Sequence, residues 1–512
     1  MDQPRLTHLL NNRTALDPLE IKSIRHEVHV RIQAIERLQL ELQKLESERA
    51  AWQSLLSPLR RNSIPPEILG EIFGYVVLAT ESTKPRRSQV NVLCRVCKAW
   101  RDVALAIPSL WAQLDEIVVR NHLDIAKVRS WLSRSGNAEK TLSLEGKHNP
   151  LCPFESPAVR KFLLTGPVLD SLSLKCHSLQ CFTRLLNPTP SQGEAPHPRS
   201  FDSLQSISLG FSQWPSSPDA WHLLNHLPPV TSLTMDLPEP DEDEDEFDYS
   251  PKSPLPRSIF TTNLTKLSLT SAWPMAWILQ IVKACTNLEN LVLDYGPGVV
   301  DDAMVPISSR NRHILLPKLS SLEMREISLR TETTCILRHM VAPSLNALEI
   351  CYFNDEEPLD KLSLPTMEEF CADILSLVPG HSGSNGVTNL QYLRFKHLPI
   401  ASASLYRILS AFPTLRHLTL DSVKSDSALF RNRGPGKPLV PELEVLELLN
   451  VPPSIYPDDV CSFLIDTGDR PLEKLRLFMT IVHDPSPGDS EEAKMLSEEG
   501  TDVTIFYVPG QN

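Results

Sequence analysis

A leucine-rich template repeats along most of this 512-residue chain and constrains its fold more than any other feature. The template is Leu-x-x-Leu-x-Leu with conservative apolar replacements, and successive copies start 24 to 45 residues apart. The copies start at Leu169, Leu204, Val230, Leu264, Leu288, Leu319, Leu345, Leu390, Leu415, Leu443 and Leu472. A unit of this size cannot bury its own apolar face, so neighbouring units must stack on one another.

Each unit is predicted to contain a helix followed by a strand. Short amphipathic segments that favour helices precede several copies, at 220–227, 276–285 and 404–412. Weaker copies of the template, Leu114-Ile117-Val119 and Leu142-Leu144, extend the array towards the N-terminus. The chain is therefore predicted to form an α/β solenoid over residues 112–480, with its strands in one curved parallel sheet.

This array resembles the leucine-rich-repeat solenoids, with one departure. In that family an asparagine follows each template by three residues, and here other residues take its place. They are His177, Ser212, Ala272, Gly296, Ile327 and Val423. The resemblance implies degenerate leucine-rich repeats, and we expect their curvature to be irregular.

The N-terminal segment follows a different period. Apolar residues fill ten of twelve a and d positions of a strict heptad from Ile21 to Leu59, and Arg31 and Arg49 occupy the other two. No Gly or Pro interrupts residues 19–57, and Asp17-Pro18 offers an N-cap and a first helical residue. The pattern predicts a coiled-coil helix over 19–59. This helix either folds back on its own domain or pairs with a partner or a second copy.

Residues 62–111 form a short helical module that resembles an F-box. The resemblance lies in IPPEILGEIF at 64–73 and in LCRVCKAWRDVA at 93–104, followed by PSLW at 108–111. It implies that the module docks on a Skp-type adaptor. The residues that match the docking positions are Ile64, Pro65, Pro66, Ile68, Leu69, Ile72 and Phe73 on the first helix and Val96, Cys97 and Trp100 on the later one. Together with the heptad helix, the module is similar to F-box proteins of the fungal type.

The connection inside this module departs from the family, because it is longer and carries Lys84, Arg86 and Arg87. Considered without the resemblance, a module of about 50 residues buries only part of its apolar surface, which also indicates an interface. The alternative is that Ile68, Leu69, Ile72 and Phe73 simply form its core.

Composition and charge exclude several functional classes. The chain has 50 basic and 63 acidic residues, a net charge of −13 that disfavours nucleic acid or an anionic membrane as the main partner. Its 18 glycines and 44 prolines disfavour glycine-rich phosphate loops. Ten cysteines scattered through apolar segments, with no signal-peptide core and no long apolar run, predict an intracellular protein, cytoplasmic or nuclear. The basic stretch at 84–87 could act as a nuclear-import signal or be a solvated loop.

No motif in the sequence indicates catalysis, a cofactor or a metal. His26 and His29 are one residue short of the zincin spacing and fall on outward heptad positions, which favours a solvated helix face. Cys94 and Cys97 have redox or zinc spacing but no second pair nearby, which favours helix packing. We therefore expect a non-catalytic protein without a cofactor.

Two segments have too little apolar content to fold alone. They are the acidic, proline-rich insertion at 238–256 and most of the tail at 481–512, in which 503–508 is a candidate last strand.

The resemblances together imply a substrate-recognition subunit of a cullin-RING ubiquitin ligase of the Skp–cullin–F-box type. The F-box would bind the Skp-type adaptor, and the solenoid would bind an unknown target protein. The alternative is an interaction scaffold without a ligase role, and a hydrolase or nucleotide enzyme finds no support in the motifs.

Strand alternation indicates which solenoid residues meet the target. Residues between the template leucines should lie on the exposed sheet face. In the later repeats these include Tyr392, Arg394, Lys396, His417, Thr419, Asp421, Lys474, Arg476 and Phe478, whereas earlier repeats offer Ser171, Ser173, Ser206, Ser208, Ser232 and Thr234. Because aromatic residues and Arg dominate interface hot spots, we expect an acidic or phosphorylated target to bind the later repeats. Ordinary solvated residues are the alternative.

Overall fold

The structure is a computed structural model. It describes residues 17–56, 64–78, 85–119, 123–146, 154, 156–186, 201, 203–213, 227–238, 262–271, 275–295, 314–327, 332–352, 364–377, 389–423, 425, 427–431, 439–452, 455–465, 475–482 and 491–508. The chain divides into a helical unit, Met1–Lys84 with Ser88–Ile107, and a repeat unit, Pro85–Arg87 with Pro108–Asn512.

The helical unit begins with a single long helix. Helix α1 spans Pro18–Leu56, and the backbone N–H of Asp17 donates to Oε2 of Glu20 at 3.3 Å, so the first turn is capped. None of the α1 side chains that the structure describes is buried. The helix is therefore not folded back on its own domain here, which was one of the two expected arrangements.

Three shorter helices complete this unit: α2 (Pro66–Leu78), α3 (Arg86–Val96) and α4 (Lys98–Ala106). Leu69, Phe73 and Val77 recur at four-residue spacing on α2, so they share one face, and all three are buried. Gly70 lies against Ile107, where an added Cβ would come within 3.0 Å of the side chain. The missing side chain therefore permits the close approach of α2 to the end of α4.

The repeat unit contains one fourteen-stranded parallel sheet whose strands follow chain order. The strands are β1 (Gln113–Val119), β2 (Thr141–Gly146), β3 (Ser171–Ser178), β4 (Ser206–Gln213), β5 (Ser232–Asp236), β6 (Lys266–Thr270), β7 (Asn290–Asp294), β8 (Ser321–Ile327), β9 (Ala347–Tyr352), β10 (Tyr392–Lys396), β11 (His417–Asp421), β12 (Val445–Val451), β13 (Arg476–Val482) and β14 (Asp502–Val508). A separate parallel pair joins Ile314–Leu315 to Met340–Val341. This sheet with its helices is consistent with the predicted α/β solenoid.

Helices connect many of these strands, as a parallel sheet requires. They are α5 (Ile125–Leu132), α6 (Pro157–Thr165), α7 (Leu179–Leu186), α8 (Met275–Ala284), α9 (Leu364–Leu377), α10 (Ser402–Ala411), α11 (Ala428–Arg431), α12 (Pro457–Ile465) and α13 (Glu491–Glu498). Short 3-10 segments lie at Pro108–Trp111, Ser133–Ser135 and Glu332–His339. The helices expected at 276–285 and 404–412 correspond to α8 and α10, whereas 220–226 lies outside the described residues.

The template leucines build the core of this unit. Along β6, Leu267 and Leu269 are buried, and the residues between and beside them are not. The register aligns Leu267 with Leu291 on β7, and the same inward column continues through the neighbouring strands. Each fully buried leucine contributes roughly 1.5–3 kcal/mol relative to an exposed one. The open face of the sheet, defined as the side that carries the alternating residues, holds the candidate target-binding side chains.

Apolar side chains occupy positions where asparagine was expected. Ile327, Leu398, Val423 and Val451 are each at most 1% exposed. The residue before each of them has a positive φ, namely Glu326 (52°), His397 (57°), Ser422 (54°) and Asn450 (51°). This left-handed backbone costs an L-residue about 1–2 kcal/mol. At the end of each of these four repeats, the left-handed residue comes directly before a buried apolar side chain. In the leucine-rich-repeat pattern an asparagine, which would hydrogen-bond to the backbone, stands at that buried position.

The two segments expected to lack structure differ from each other. The insertion at 239–256 lies outside the described residues. The tail contains β14, which overlaps the candidate strand at 503–508, and also helix α13, which the sequence analysis did not predict. Leu496 on α13 is fully buried, so this helix packs on the repeat unit. No helix among the described residues has both the length and the apolar run that a membrane span requires.

Candidate interaction surfaces

The core of the F-box-like module joins α2 to α4 through two aromatic rings. The ring centroids of Phe73 and Trp100 lie 5.0 Å apart and the rings are tilted by 57°. Cys97 is the N-cap of α4, and its Sγ accepts a hydrogen bond from the backbone N–H of Trp100 at 3.5 Å. Nε of Arg101 donates to the carbonyl of Cys94 at 3.0 Å. These contacts fix the end of α3 against the start of α4.

Helix α2 has a second apolar face that is exposed. Ile68, Ile72, Tyr75 and Val76 fall at helical spacing and are 54%, 42%, 77% and 47% exposed. We call these four residues the α2 stripe. Exposed apolar residues also lie on the neighbouring helices, at Val92, Val96 and Leu105. Exposed apolar residues grouped on one face of a helix are typical of a docking face.

The ten residues assigned to the adaptor face from the sequence do not share one surface. Pro65, Pro66, Ile68, Ile72, Val96 and Cys97 are exposed, and Ile64 and Trp100 are half-buried. Leu69 and Phe73 are instead buried in the core of the module. We therefore revise their role from direct contact to support of the surface. Tyr75 and Val76 were missed, although their spacing from Ile68 and Ile72 could have identified them.

The basic connection inside this module, which departs from the family, is only partly described by the structure. Lys84 lies outside the described residues, and Arg86 and Arg87 begin α3.

The repeat unit begins with a pair of tryptophan rings. The ring of Trp111 packs on that of Trp131 with centroids 4.5 Å apart, and the guanidinium of Arg134 lies 4.6 Å from the centroid of the Trp111 ring. Leu110 and Trp111 of the PSLW sequence are therefore buried at the start of the repeat unit, whereas Pro108 and Ser109 are exposed.

The candidate target-binding residues fall on adjacent strands of the open face. Tyr392 pairs with His417, and Lys396 pairs with Asp421, across β10 and β11. Arg476 and Phe478 lie on β13, and β12 separates them from this group. Lys474 lies outside the described residues. The structure thus brings the β10 and β11 residues together and places the β13 residues two strands away from β11.

Arg394 is held by carboxylates on both sides. Nη1 lies 3.1 Å from Oε1 of Glu349 on β9, and Nη2 lies 3.5 Å from Oδ2 of Asp421 on β11. Burial raises the pKa of Glu349, and the Arg394 charge opposes this. Burial alone would lower the pKa of Arg394, but Glu349, Tyr392 and Asp421 raise it above its usual value. The guanidinium is therefore already engaged within the protein.

The next positions along this face are also linked. Oγ1 of Thr419 donates to Oε2 of Glu447 on β12 at 2.8 Å, and Nε2 of His417 lies 3.3 Å from the same oxygen. The rings of Tyr392 and His417 meet edge to face with centroids 4.9 Å apart. Burial raises the pKa of Tyr392, so its hydroxyl stays protonated. Glu349 and Glu447 belong to the template copies at Leu345 and Leu443, and the same strand alternation places them on the open face, although they were not among the predicted residues.

Cations and carboxylates are nearly balanced on the later part of the open face. From β10 to β13 this face carries Arg394, Lys396 and Arg476 against Asp421 and Glu447, and Glu349 on the adjoining β9 pairs with Arg394. Binding of an acidic or phosphorylated target to this face stays a prediction. The earlier half differs, since Ser171, Ser206 and Ser232 form one row across β3 to β5 and Ser173, Ser208 and Thr234 form the next.

In the described part of the chain, no group of three or more His, Cys, Asp or Glu side chains could hold a metal ion. His26 and His29 lie on the exposed surface of α1, and Nε2 of His29 is 3.0 Å from the Gln33 amide nitrogen. Cys97 serves as a helix cap. The histidines thus lie on a solvated helix face, and Cys97 takes part in helix packing.

Comparison with solved structures finds matches at low sequence identity and low TM-score. The chain is similar to the TLR13–ssRNA13 complex at 14% identity, covering 78% of this chain and 52% of that chain with a TM-score of 0.33. It is similar to a protein from Bacteroides fragilis at 13% identity, covering 62% and 68% with a TM-score of 0.29. It is also similar to the Rad7–Elc1 complex of yeast at 12% identity, covering 88% and 94% with a TM-score of 0.29. The chain thus spans about half the length of the first of these structures.

Comparison at the level of sequence identifies one region. No curated protein matches the chain. The sequence model of the family described as F-box-like matches residues 62–116, which include α2, α3, α4 and the first residues of the repeat unit. Residues 62–116 are an F-box-like domain.

Proposed function

We propose that this protein is the substrate-recognition subunit of a ubiquitin ligase of the Skp–cullin–F-box type, with no catalytic role of its own. The observation that carries the proposal is an F-box-like domain whose first helix exposes an apolar stripe. The domain binds a Skp-type adaptor, and the degenerate leucine-rich repeats bind the target. The protein then acts by position, because it holds the target where ubiquitin transfer becomes effectively intramolecular.

The adaptor contact in this proposal is the α2 stripe, supported from beneath by Leu69 and Phe73. Replacing Ile68 and Ile72 by Asp places two charges in an apolar interface, which costs several kcal/mol of binding. Both side chains are exposed, so the fold tolerates the change. Replacing Leu69 would instead disturb the core, and it does not test the interface.

The decisive experiment is copurification of the full chain with a Skp-type adaptor. The unmodified chain should bind, and Ile68→Asp with Ile72→Asp should abolish binding while circular dichroism remains native. Val168→Asp is a matched control, because this residue of the repeat unit is 60% exposed and should leave binding unchanged. An unmodified, folded chain that does not bind the adaptor would refute the ligase role and leave the scaffold function.

We propose that the target binds the open face of β10 to β13. Tyr392 and Phe478 offer partly exposed aromatic surface, and aromatic side chains are frequent anchors of protein interfaces. Tyr392→Ala with Phe478→Ala should abolish adaptor-dependent ubiquitylation of the target and preserve adaptor binding. Ser173→Ala with Ser208→Ala is the control on the early repeats. If only the control pair reduces ubiquitylation, the target binds the serine-rich half instead.

A further inference from the structure

Helix α1 carries an apolar seam that no part of the described chain covers. Its 39 residues extend over about 58 Å at 1.5 Å per residue. The seam side chains are between 36% and 68% exposed, and they are Ile21, Val28, Ile35, Leu38, Leu42, Leu45 and Trp52. A monomer rarely leaves a continuous seam of this length in water.

The spacing of the seam identifies what covers it. Its residues occupy heptad a and d positions, the pattern that packs knobs into holes on a second helix of the same period. We propose that α1 pairs in parallel and in register with α1 of a second copy of this chain. The inference does not depend on the adaptor role, because α1 lies outside residues 62–116.

The residue types at the seam favour two parallel strands. Ile21, Val28 and Ile35 are β-branched and occupy a positions, whereas Leu38 and Leu45 occupy d positions; Leu42 at a and Ile24 at d depart from this pattern. β-branched residues at a with leucine at d favour the parallel dimer over higher oligomers.

The charges beside the seam oppose the antiparallel arrangement. Glu20, Glu27, Glu41 and Glu48 occupy the g positions. An antiparallel pair brings g against g, so glutamates of the two chains would face one another. A parallel pair brings g against e, so Glu20 faces Arg25 of the second copy. In the parallel pair Glu41 still faces Glu46 of the second copy on both sides, but these contacts lie at the solvated edge, where like charges cost little.

The two arginines in the seam fix the register. Arg31 at d is paired with Glu27 of its own chain, with Nη2 3.4 Å from Oε1. Arg49 at a lies beside Glu48 of the second copy in the parallel arrangement. A shift by one heptad would place both arginines against apolar residues, and so would an antiparallel pair that aligns residue 21 with residue 52. Polar groups at core positions specify register and orientation in this way.

The arrangement has a functional consequence. In a parallel pair the C-termini of the two α1 helices lie side by side. In each chain the F-box-like domain follows α1 in the sequence. One assembly then carries two adaptor-binding domains and two repeat units. A target with two recognition segments would be held more tightly through the increased effective concentration of the second site.

The first test is the oligomeric state of the full chain by sedimentation. The unmodified protein should have twice the mass of one chain, and Leu38→Lys with Leu42→Lys should raise the dissociation constant at least about 100-fold. Val30→Lys with Leu40→Lys is the matched control, because both residues are exposed but lie off the seam. A monomeric unmodified protein, or equal dissociation by both pairs, would overturn the proposal.

The second test is orientation, measured by cross-linking with a short bis-maleimide. A parallel pair places residue 21 of each chain side by side, so Ile21→Cys should cross-link to itself above the background of the native cysteines. Gln33→Cys, at an outward f position, should not cross-link efficiently. Cross-linking between Ile21→Cys and Trp52→Cys chains in a mixture, without the Ile21→Cys homodimer, would show an antiparallel pair and overturn the parallel assignment.

Discussion

Arg394 on β10 and Glu349 on β9 form an ion pair across the parallel ladder, with Nη1 3.1 Å from Oε1 and both side chains less than one third exposed. The two residues occupy directly paired positions of the register. The charge of each side chain therefore offsets part of the free-energy cost of burying the charge of the other. A surface that looks basic in the sequence of β10 alone is neutralised by the strand beside it, which changes the charge of ligand that this face accepts.

The ion pair predicts that Arg394→Ala destabilises the repeat unit by about 1–3 kcal/mol near neutral pH, because a partly buried carboxylate loses its partner. The effect should depend on pH. The pKa of Glu349 is raised above 4.5 in the folded protein by burial, and removal of Arg394 raises it further. A carboxyl whose folded pKa is raised loses stability as pH increases above its unfolded pKa.

Urea unfolding of both proteins should therefore show a larger loss at about pH 7 than at about pH 5. Arg416→Ala is the control, because Arg416 is half-exposed and lies 3.5 Å or more from Glu442 and Glu444. Its loss should stay within about 0.5 kcal/mol at both pH values. A loss from Arg394→Ala that does not change with pH would contradict the assigned role of Glu349.

Adjacent residues on α2 should respond very differently to truncation. Phe73→Ala removes a fully buried ring from its contact with Trp100 and should destabilise the helical unit by about 3–5 kcal/mol. Ile72→Ala, on the exposed stripe, should change stability by no more than about 0.5 kcal/mol. Amide hydrogen exchange over residues 66–106 measures both. Equal loss of protection in the two variants would contradict the separation of core from stripe.

Thiol labelling should distinguish two cysteines by burial. Burial raises the pKa of Cys285 to about 12, and its side chain is fully buried. Cys97 is exposed at the start of α4. Iodoacetamide should label Cys97 within minutes and leave Cys285 unmodified until denaturant is added, as read by mass spectrometry. Labelling of Cys285 in the native protein would show that α8 does not pack as described.

Two deletions of equal length should differ strongly in their effect on the melting temperature. Removal of 239–253, an acidic segment with few apolar residues, should change the melting temperature by no more than about 2 °C. Removal of 491–505 takes away α13 with the buried Leu496 and most of β14, which pairs along the whole of β13. That deletion should lower the melting temperature by much more than the deletion of 239–253 does. A large loss from the first deletion would show that the insertion packs.

Periodicity made much of the fold predictable. The template places Leu267 and Leu269 two residues apart, which is the alternation of a strand, and both are buried. The long helix was likewise predictable from its heptad spacing, and the F-box-like module was predictable from its resemblance to the family. Helix α13 was not, because its segment is rich in charge and its burial rests on few residues such as Leu496.

The sequence by itself determined the repeating inward leucines and the heptad of α1, because each depends on the spacing of residues within one element, and it identified the F-box-like domain by its resemblance to the family. Only the tertiary structure decided which residues of α2 point inward, since Leu69 and Ile72 are equally apolar and differ in what packs against them. It also decided the charge of the open face. Arg394 meets Glu349 and Asp421 only because strands that are distant in sequence lie side by side in register.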